Sequence, residues 1–162
     1  DPFNQVGEIL TKGMNVMDGY YNNPEASNAV LSPDGWLHTG DLGILDPDGY
    51  LYIKGRSKSL ILGPSGQNIY PEEIEDLLNA QPYIAESLVI EREGKLVALV
   101  YPDSEAMKQH KISRDTLLKI IHETRKQINQ QIPAYSQIAR IEIHDEEFEK
   151  TPKRSIKRFL YQ

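Results

Sequence analysis

Apolar residues recur at helical spacing in some stretches of the chain and alternate with polar ones in others. Over 114–131, Leu117, Leu118, Ile121 and Ile128 fall toward one face of a 3.6-residue repeat. Ser113 stands where an N-cap belongs and Pro133 follows the end, so a long amphipathic helix is expected there. Over 71–79 the pattern returns on a smaller scale. Pro71 falls in the first turn, Glu72 and Glu73 suit the positive end of the helix dipole, and Ile74, Leu77 and Leu78 share a face. Pro24-Glu25-Ala26 starts a further helix. Alternation over 138–143 predicts a strand with one buried face. The runs 86–91 and 95–101 flank Glu93-Gly94 and predict a β-hairpin. The runs 42–45 and 50–54 flank Asp46-Pro47-Asp48-Gly49, where proline presets φ and glycine admits positive φ, and predict a second hairpin. Short strands are expected at 6–11 and 59–62, and a turn at Ser32-Pro33-Asp34-Gly35.

These elements sort into two pieces. From residue 58 to 162 they run helix, hairpin, helix and strand, a compact α+β domain of about 100 residues. Residues 1–57 are mostly β and carry no strong core of their own. The boundary is expected near 55–58. Strands cut from a larger β-structure leave unpaired edges, so self-association of the fragment through those edges is expected.

Composition narrows the class. With 39% hydrophobic and 26% charged residues among 162, the chain is expected to fold. It has no cysteine, which removes disulfides, thiolate metal sites and a thiol nucleophile and fits a cytoplasmic setting. A net charge of −6 argues against a nucleic-acid binder. No apolar run is long enough for a transmembrane segment, and Asp1-Pro2-Phe3-Asn4 is no signal peptide. The missing initiator methionine suggests an excised piece. Charge is uneven at the end: Asp145, Glu146, Glu147 and Glu149 precede Lys150, Lys153, Arg154, Lys157 and Arg158. That tail reads either as a solvated segment or as one that meets phosphate.

Candidate chemistry concentrates between Trp36 and Pro71. Thr39-Gly40-Asp41 reads as a tight glycine turn that presents a carboxylate, suited to accept hydrogen bonds from ribose hydroxyls. Arg56, after Gly55, offers charged donors to a ribose or phosphate. Gly63-Pro64-Ser65-Gly66-Gln67-Asn68 reads as a loop whose amides can approach a ligand as it opens onto a helix. It lacks the Gly-Lys-Ser/Thr ending of a Walker loop, and no Gly-x-Ser-x-Gly elbow is present. His38, His110, His122 and His144 show no metal-ligand spacing.

In order and spacing these pieces resemble the adenylate-forming superfamily of acyl-CoA synthetases, luciferases and peptide-synthetase adenylation domains. The string that carries the resemblance includes Val6-Gly7-Glu8-Ile9, Gly13, and Val16-Met17-Asp18-Gly19-Tyr20-Tyr21 with Asn23-Pro24-Glu25. Gly35-Trp36-Leu37-His38-Thr39-Gly40-Asp41, Asp48-Gly49-Tyr50-Leu51, Gly55-Arg56-Ser57-Lys58 and the run from Asn68 to Glu75 continue it. Thr151-Pro152 followed by Ile156-Lys157-Arg158 looks most like long-chain fatty-acid ligases.

The resemblance implies a fold and a reaction. Residues 1–57 would end the large AMP-binding domain, and 58–162 would be the mobile C-terminal domain. A fatty acid would attack the α-phosphate of Mg-ATP, and coenzyme A would then displace AMP from the acyl-adenylate. A carrier protein in place of coenzyme A, or a stand-alone binding module, are the alternatives. Asp41 and Arg56, with Thr39, would hold the nucleotide, and Lys58 would be the hinge. Gly63, Ser65, Gly66, Gln67 and Asn68 would line the coenzyme A channel. The family's catalytic lysine aligns with Ser155 here, so Lys153 or Lys157 is expected to supply the charge. On a strand-like tail, 153, 155 and 157 would share a side. The phosphate loop, the Mg ligand and the acyl pocket would lie upstream of this chain, so the fragment alone is expected not to catalyse.

Overall fold

The computed structural model describes residues 5–162; the start at residues 1–4, with the reading made of it, lies outside the described residues. The chain divides into two units, Asp1–Lys58 and Ser59–Gln162.

The first unit is an antiparallel sheet of β1 (Gly7–Thr11), β2 (Leu37–Leu45) and β3 (Leu51–Arg56) in that order, with α1 (Pro24–Val30) between β1 and β2. Asn23 caps α1 by accepting from the Ala26 N–H at 3.0 Å, and Pro24 fills the first turn. The β2–β3 turn is built as its sequence requires. Asp46 Oδ1 accepts from the Asp48 and Tyr50 N–H groups at 3.0 and 2.8 Å, and Gly49 takes φ +87°. Only Gly43 and Gly55 are buried among the described residues of this unit. Tyr50, Leu51, Tyr52 and Ile53 are all exposed, Ile53 by 70%, so both faces of β3 meet solvent and no core forms, as expected from the sequence. One local expectation fails. Thr39-Gly40-Asp41 is no turn but lies inside β2, which begins at Leu37 because the ladder to β1 resumes on both sides of it.

In the second unit, β4 (Ile61–Leu62) and β5 (Asn68–Ile69) form a small hairpin. After it come α2 (Pro71–Asn79), β6 (Ile84–Arg92), β7 (Lys95–Pro102), α3 (Ser104–Gln109), α4 (Arg114–Gln131) and β8 (Ile138–Ile143). β6 and β7 pair antiparallel across Glu93 and Gly94, whose φ of +55° and +72° make the tight turn that matches strand twist. β8 joins β7 in parallel, with α3 and α4 as the crossover.

β6 and β7 read as nearly unbroken apolar runs, so both faces of this sheet need cover. On one face Ile74 and Leu78 of α2, with Leu117, Ile121 and Ile128 of α4, pack on Val89, Ala98 and Val100. On the other, Leu88, Ile90, Val97 and Leu99 are covered by Phe148, Ile156 and Tyr161 of the tail. The sheet is therefore the middle of three layers.

The tail corrects a second expectation. It is not a strand. Lys150 and Ile156 form an isolated bridge around a turn, in which Thr151 N–H donates to Ser155 O at 2.8 Å and Arg154 takes φ +63°. Pro152 cannot donate to a ladder, and Phe148 and Tyr161 are tied down by packing on the sheet. Lys153, Ser155 and Lys157 thus do not share a strand face. Leu118 corrects a third: it is 49% exposed. The buried row of α4 is Leu117, Ile121, Thr124 and Ile128, one position off Leu118.

Ser113 Oγ accepts from Thr116 N–H at 3.2 Å, which caps α4. Ser113→Ala is expected to cost about 1 kcal/mol in urea unfolding, and Ser113→Asp to cost nearly nothing. Equal losses in both variants would show that the cap is not what stabilises this end.

Candidate functional site

The bulge in β2 gathers the first candidates. Glu8 faces Leu42 and Leu10 faces His38, so Ile9 alone faces residues 39–41. Gly40 takes φ +72° to make room for the extra residues. Thr39 Oγ1 donates to Ile9 O at 2.7 Å and accepts from Asp41 N–H at 3.1 Å. On the far side Asp41 faces Arg56 across the β2–β3 ladder. Arg56 Nε lies 3.0 Å from Asp41 Oδ1, and Arg56 Nη1 donates to Thr39 O at 3.2 Å. Thr39, Asp41 and Arg56 are thus brought together, with the carboxylate 34% exposed. One carboxylate oxygen is held by the guanidinium, and the group keeps acceptor capacity for hydroxyls that approach from solvent.

Glu8 also belongs here, although no sequence motif assigned it a role. Its Oε1 accepts from Gly40 N–H at 3.2 Å and its Oε2 lies 2.9 Å from His38 Nδ1. The hydrogen bond with His38 holds the Glu8 carboxyl below its usual value.

Lys58 is exposed in a 3-10 turn, Ser57–Ser59, where the first unit ends. The glycine loop differs from its expectation. It is the closed tip of the β4–β5 hairpin, not a loop that opens onto a helix. Gly63 N–H donates to Gln67 O at 2.8 Å and Gly66 N–H to Gly63 O at 2.9 Å, so those amides are already used. α2 begins only at Pro71, after β5. Gly63, Ser65 and Gln67 instead wall a cleft of about 480 Å³ together with Leu96 and Tyr135. Gln67 Oε1 is buried there and has no hydrogen-bond partner.

The basic tail is largely neutralised within its own unit. Lys150 pairs with Glu86 and Glu147, and Lys157 Nζ lies 3.1 Å from Glu149 Oε2. Lys153 is exposed on the turn and carries no ion pair among the described residues. Arg158 is buried to 18% exposure and reaches Glu75 Oε2 at 2.5 Å and Val89 O at 3.1 Å. Glu75 also accepts from Val89 N–H at 2.6 Å, and burial pushes its carboxyl up while Arg158 pulls it down. Arg158 is therefore a tie between tail, α2 and β6. Its partner stands 83 positions away, which no local signal announces.

The other three histidines meet aromatic rings or solvent. His144 stacks on Phe148 at 4.9 Å, His110 meets the Tyr83 ring edge-on at 5.7 Å, and His122 is exposed on α4. Among the described residues no three His, Asp or Glu side chains converge as a metal site needs, and no helix is long and apolar enough to cross a membrane.

Comparison with known proteins agrees with this architecture. The chain is 51% identical over 99 residues to indoleacetate–CoA ligase of Aromatoleum aromaticum, covering 59% of this chain and 19% of that protein. It is 34% identical over 163 residues to probable acyl-activating enzyme 4 of Arabidopsis thaliana, covering 96% of this chain and 27% of the relative. Among solved structures, O-succinylbenzoate coenzyme A synthetase of Bacillus subtilis in complex with AMP superposes with a TM-score of 0.73 at 30% identity, over 99% of this chain and 31% of that one. The chain thus spans less than a third of the length of these proteins. Residues 58–161 match the model of the AMP-binding enzyme C-terminal domain, and the chain belongs to that family of adenylate-forming enzymes.

Proposed function

We propose that this chain is the hinge and C-terminal part of an AMP-forming CoA ligase. The observation that carries the reading is the meeting of Thr39, Asp41 and Arg56 on one bulge, shortly before a domain whose family handles AMP. In this reading Asp41 accepts from the ribose hydroxyls, Arg56 holds Asp41 and contacts the same ribose, and Thr39 braces the bulge. Lys58 is the pivot about which the second unit changes its orientation between half-reactions. Gly63, Ser65, Gly66, Gln67 and Asn68 form one side of the channel for the pantetheine arm of coenzyme A; the cleft lined by Gly63, Ser65 and Gln67 supports this for those three, while Gly66 and Asn68 stand outside its lining. Lys153 supplies positive charge to the substrate carboxylate and the α-phosphate.

The reaction has two steps. A carboxylate oxygen attacks the α-phosphorus of Mg-ATP and pyrophosphate leaves. The thiol of coenzyme A then attacks the acyl carbon and AMP leaves. Both steps need developing negative charge met by fixed donors. Magnesium would be held by the nucleotide phosphates and by residues outside this chain.

The tail string Thr151-Pro152 with Ile156-Lys157-Arg158 points to a long-chain fatty acid. Relatives named for indoleacetate and O-succinylbenzoate make an aromatic acid the alternative to test. The experiment is acid-dependent pyrophosphate exchange by the full-length enzyme, run on a panel of fatty and aromatic acids. Exchange is expected with long-chain acids, followed by thioester formation when coenzyme A is added, and none is expected from the 162-residue chain alone. Exchange by that chain, or none by the full-length enzyme with any acid, would sink the reading.

A further inference from the structure

The bulge that carries Asp41 creates a supply problem for its own backbone. Ile9 is the single β1 residue that faces 39–41, and its carbonyl is already taken by the Thr39 hydroxyl at 2.7 Å. The Gly40 N–H turns instead to the Glu8 carboxylate at 3.2 Å. Glycine at φ +72° has wide conformational freedom, so an unheld Gly40 lets the bulge relax.

We propose that Glu8 is a positioning residue for nucleotide binding: its carboxylate fixes the Gly40 bulge and so aims Asp41 at the ribose. The inference rests on the reading of Asp41 as the ribose acceptor. The bulge is held from two sides. Arg56 of β3 grips Thr39 O and the Asp41 carboxylate, and Glu8 of β1 grips Gly40. The second Glu8 oxygen is held by His38 Nδ1 at 2.9 Å, which fixes the rotation of the carboxylate and keeps Oε1 on Gly40. Hydrogen bonding from His38 and from Gly40 lowers the Glu8 carboxyl, so it stays an anionic acceptor. Glu8 is 35% exposed, so water can serve the Gly40 N–H once the carboxylate is gone. The loss then falls on aim more than on stability. A shift well under the length of a bond is enough to weaken a hydrogen bond to a hydroxyl.

The test compares kcat/KM for ATP with that for 3′-deoxy-ATP in acid-dependent adenylation by the full-length enzyme. The ratio isolates the contact to the ribose hydroxyl, which a general loss of fold does not change. Asp41→Ala is expected to bring the ratio close to one. Glu8→Ala is expected to lower it about tenfold, the worth of one well-aimed hydrogen bond. Glu8→Gln keeps an acceptor for Gly40 and should restore most of the ratio. Glu8→Asp keeps the charge but withdraws the oxygens, so it should lower the ratio as alanine does, and it carries the test if the alanine variant does not fold. Glu8→Ala added to Asp41→Ala should change the ratio no further. If Glu8→Ala and Glu8→Asp depress both nucleotides equally and leave the ratio intact, the positioning role is overturned while the ribose reading stands. If Asp41→Ala itself leaves the ratio at the wild-type value, the ribose reading has failed and the role of Glu8 falls with it.

Discussion

Arg158→Ala is expected to destabilise the second unit by about 4 kcal/mol, the typical cost of removing one partner from a buried ion pair. Arg158 is 18% exposed and Glu75 is 11% exposed at the side chain, so neither charge has much water to fall back on. The guanidinium reaches Glu75 Oε2 at 2.5 Å, Val89 O at 3.1 Å and Glu72 Oε1 at 3.6 Å. Among the described residues, its removal leaves the Glu75 carboxylate held by the Val89 N–H alone. It also frees the tail that covers Leu88, Ile90, Val97 and Leu99. The measurement is urea unfolding of the 162-residue chain followed by far-ultraviolet circular dichroism. The single tryptophan, Trp36, lies in the first unit and reports that unit separately. Its transition should not move. Replacing both partners, Arg158→Met with Glu75→Leu, should recover most of the loss, because an apolar pair leaves no buried charge behind. A double variant as unstable as the single one would place the cost in lost packing instead.

The pH dependence has a definite sign. Burial raises the Glu75 carboxyl in the folded state, with Arg158 acting against it. In the window between the ordinary carboxylate value and the raised one, the folded chain binds more protons than the unfolded chain. The Glu75 contribution to stability therefore falls as pH rises through that window. Without Arg158 the opposing pull is lost, the window widens upward, and the cost of Arg158→Ala should be larger at about pH 8 than at about pH 5.

Elements that the sequence made legible are those whose signals are local. α4 and α2 carry their buried rows within their own bounds, Ser113 caps α4 and Pro71 opens α2, and the Asp46–Gly49 and Glu93-Gly94 turns are marked by glycines that take positive φ. Six-residue α3 escaped because it has no buried residue, although Asp103 caps it by accepting from Glu105 and Ala106 N–H. The tail misled for the opposite reason. Its alternation of basic residues looks like a strand, but Phe148, Ile156 and Tyr161 are placed by a sheet face formed about fifty to seventy positions earlier. The site divides in the same way. Asp41 and Arg56 were visible as residue types, whereas their pairing depends on the β2–β3 register. Glu8 was invisible because its role exists only once the bulge leaves Gly40 without a strand carbonyl.

The tail geometry also separates the two lysines that the sequence left equivalent. In the full-length enzyme, Lys153→Ala is expected to slow acid-dependent pyrophosphate exchange about a hundredfold, the usual effect of removing one fixed donor of charge at a phosphoryl centre. Lys157→Ala should change it by less than about threefold, the scale of a partly exposed ion pair. Lys157 Nζ is held by Glu149 at 3.1 Å, and its own N–H is fixed to Glu149 O at 2.8 Å. To reach a phosphate it must first leave a partner of opposite charge. Lys153 has no such partner among the described residues and stands on the turn closed by Thr151 and Ser155, two positions from the residue aligned with the family's lysine. An unpaired ammonium on a short turn can move to the nucleotide without giving up a bond, which keeps its whole interaction for the transition state. Thioester formation from supplied acyl-adenylate and coenzyme A should stay within about twofold of wild type in Lys153→Ala, since that step forms no new bond at the phosphorus. Lys153→Arg should restore part of the exchange rate, because it keeps the charge but not the compact ammonium. If Lys157→Ala proves the damaging change and Lys153→Ala the mild one, the Glu149 pair is broken in the working enzyme and the assignment reverses.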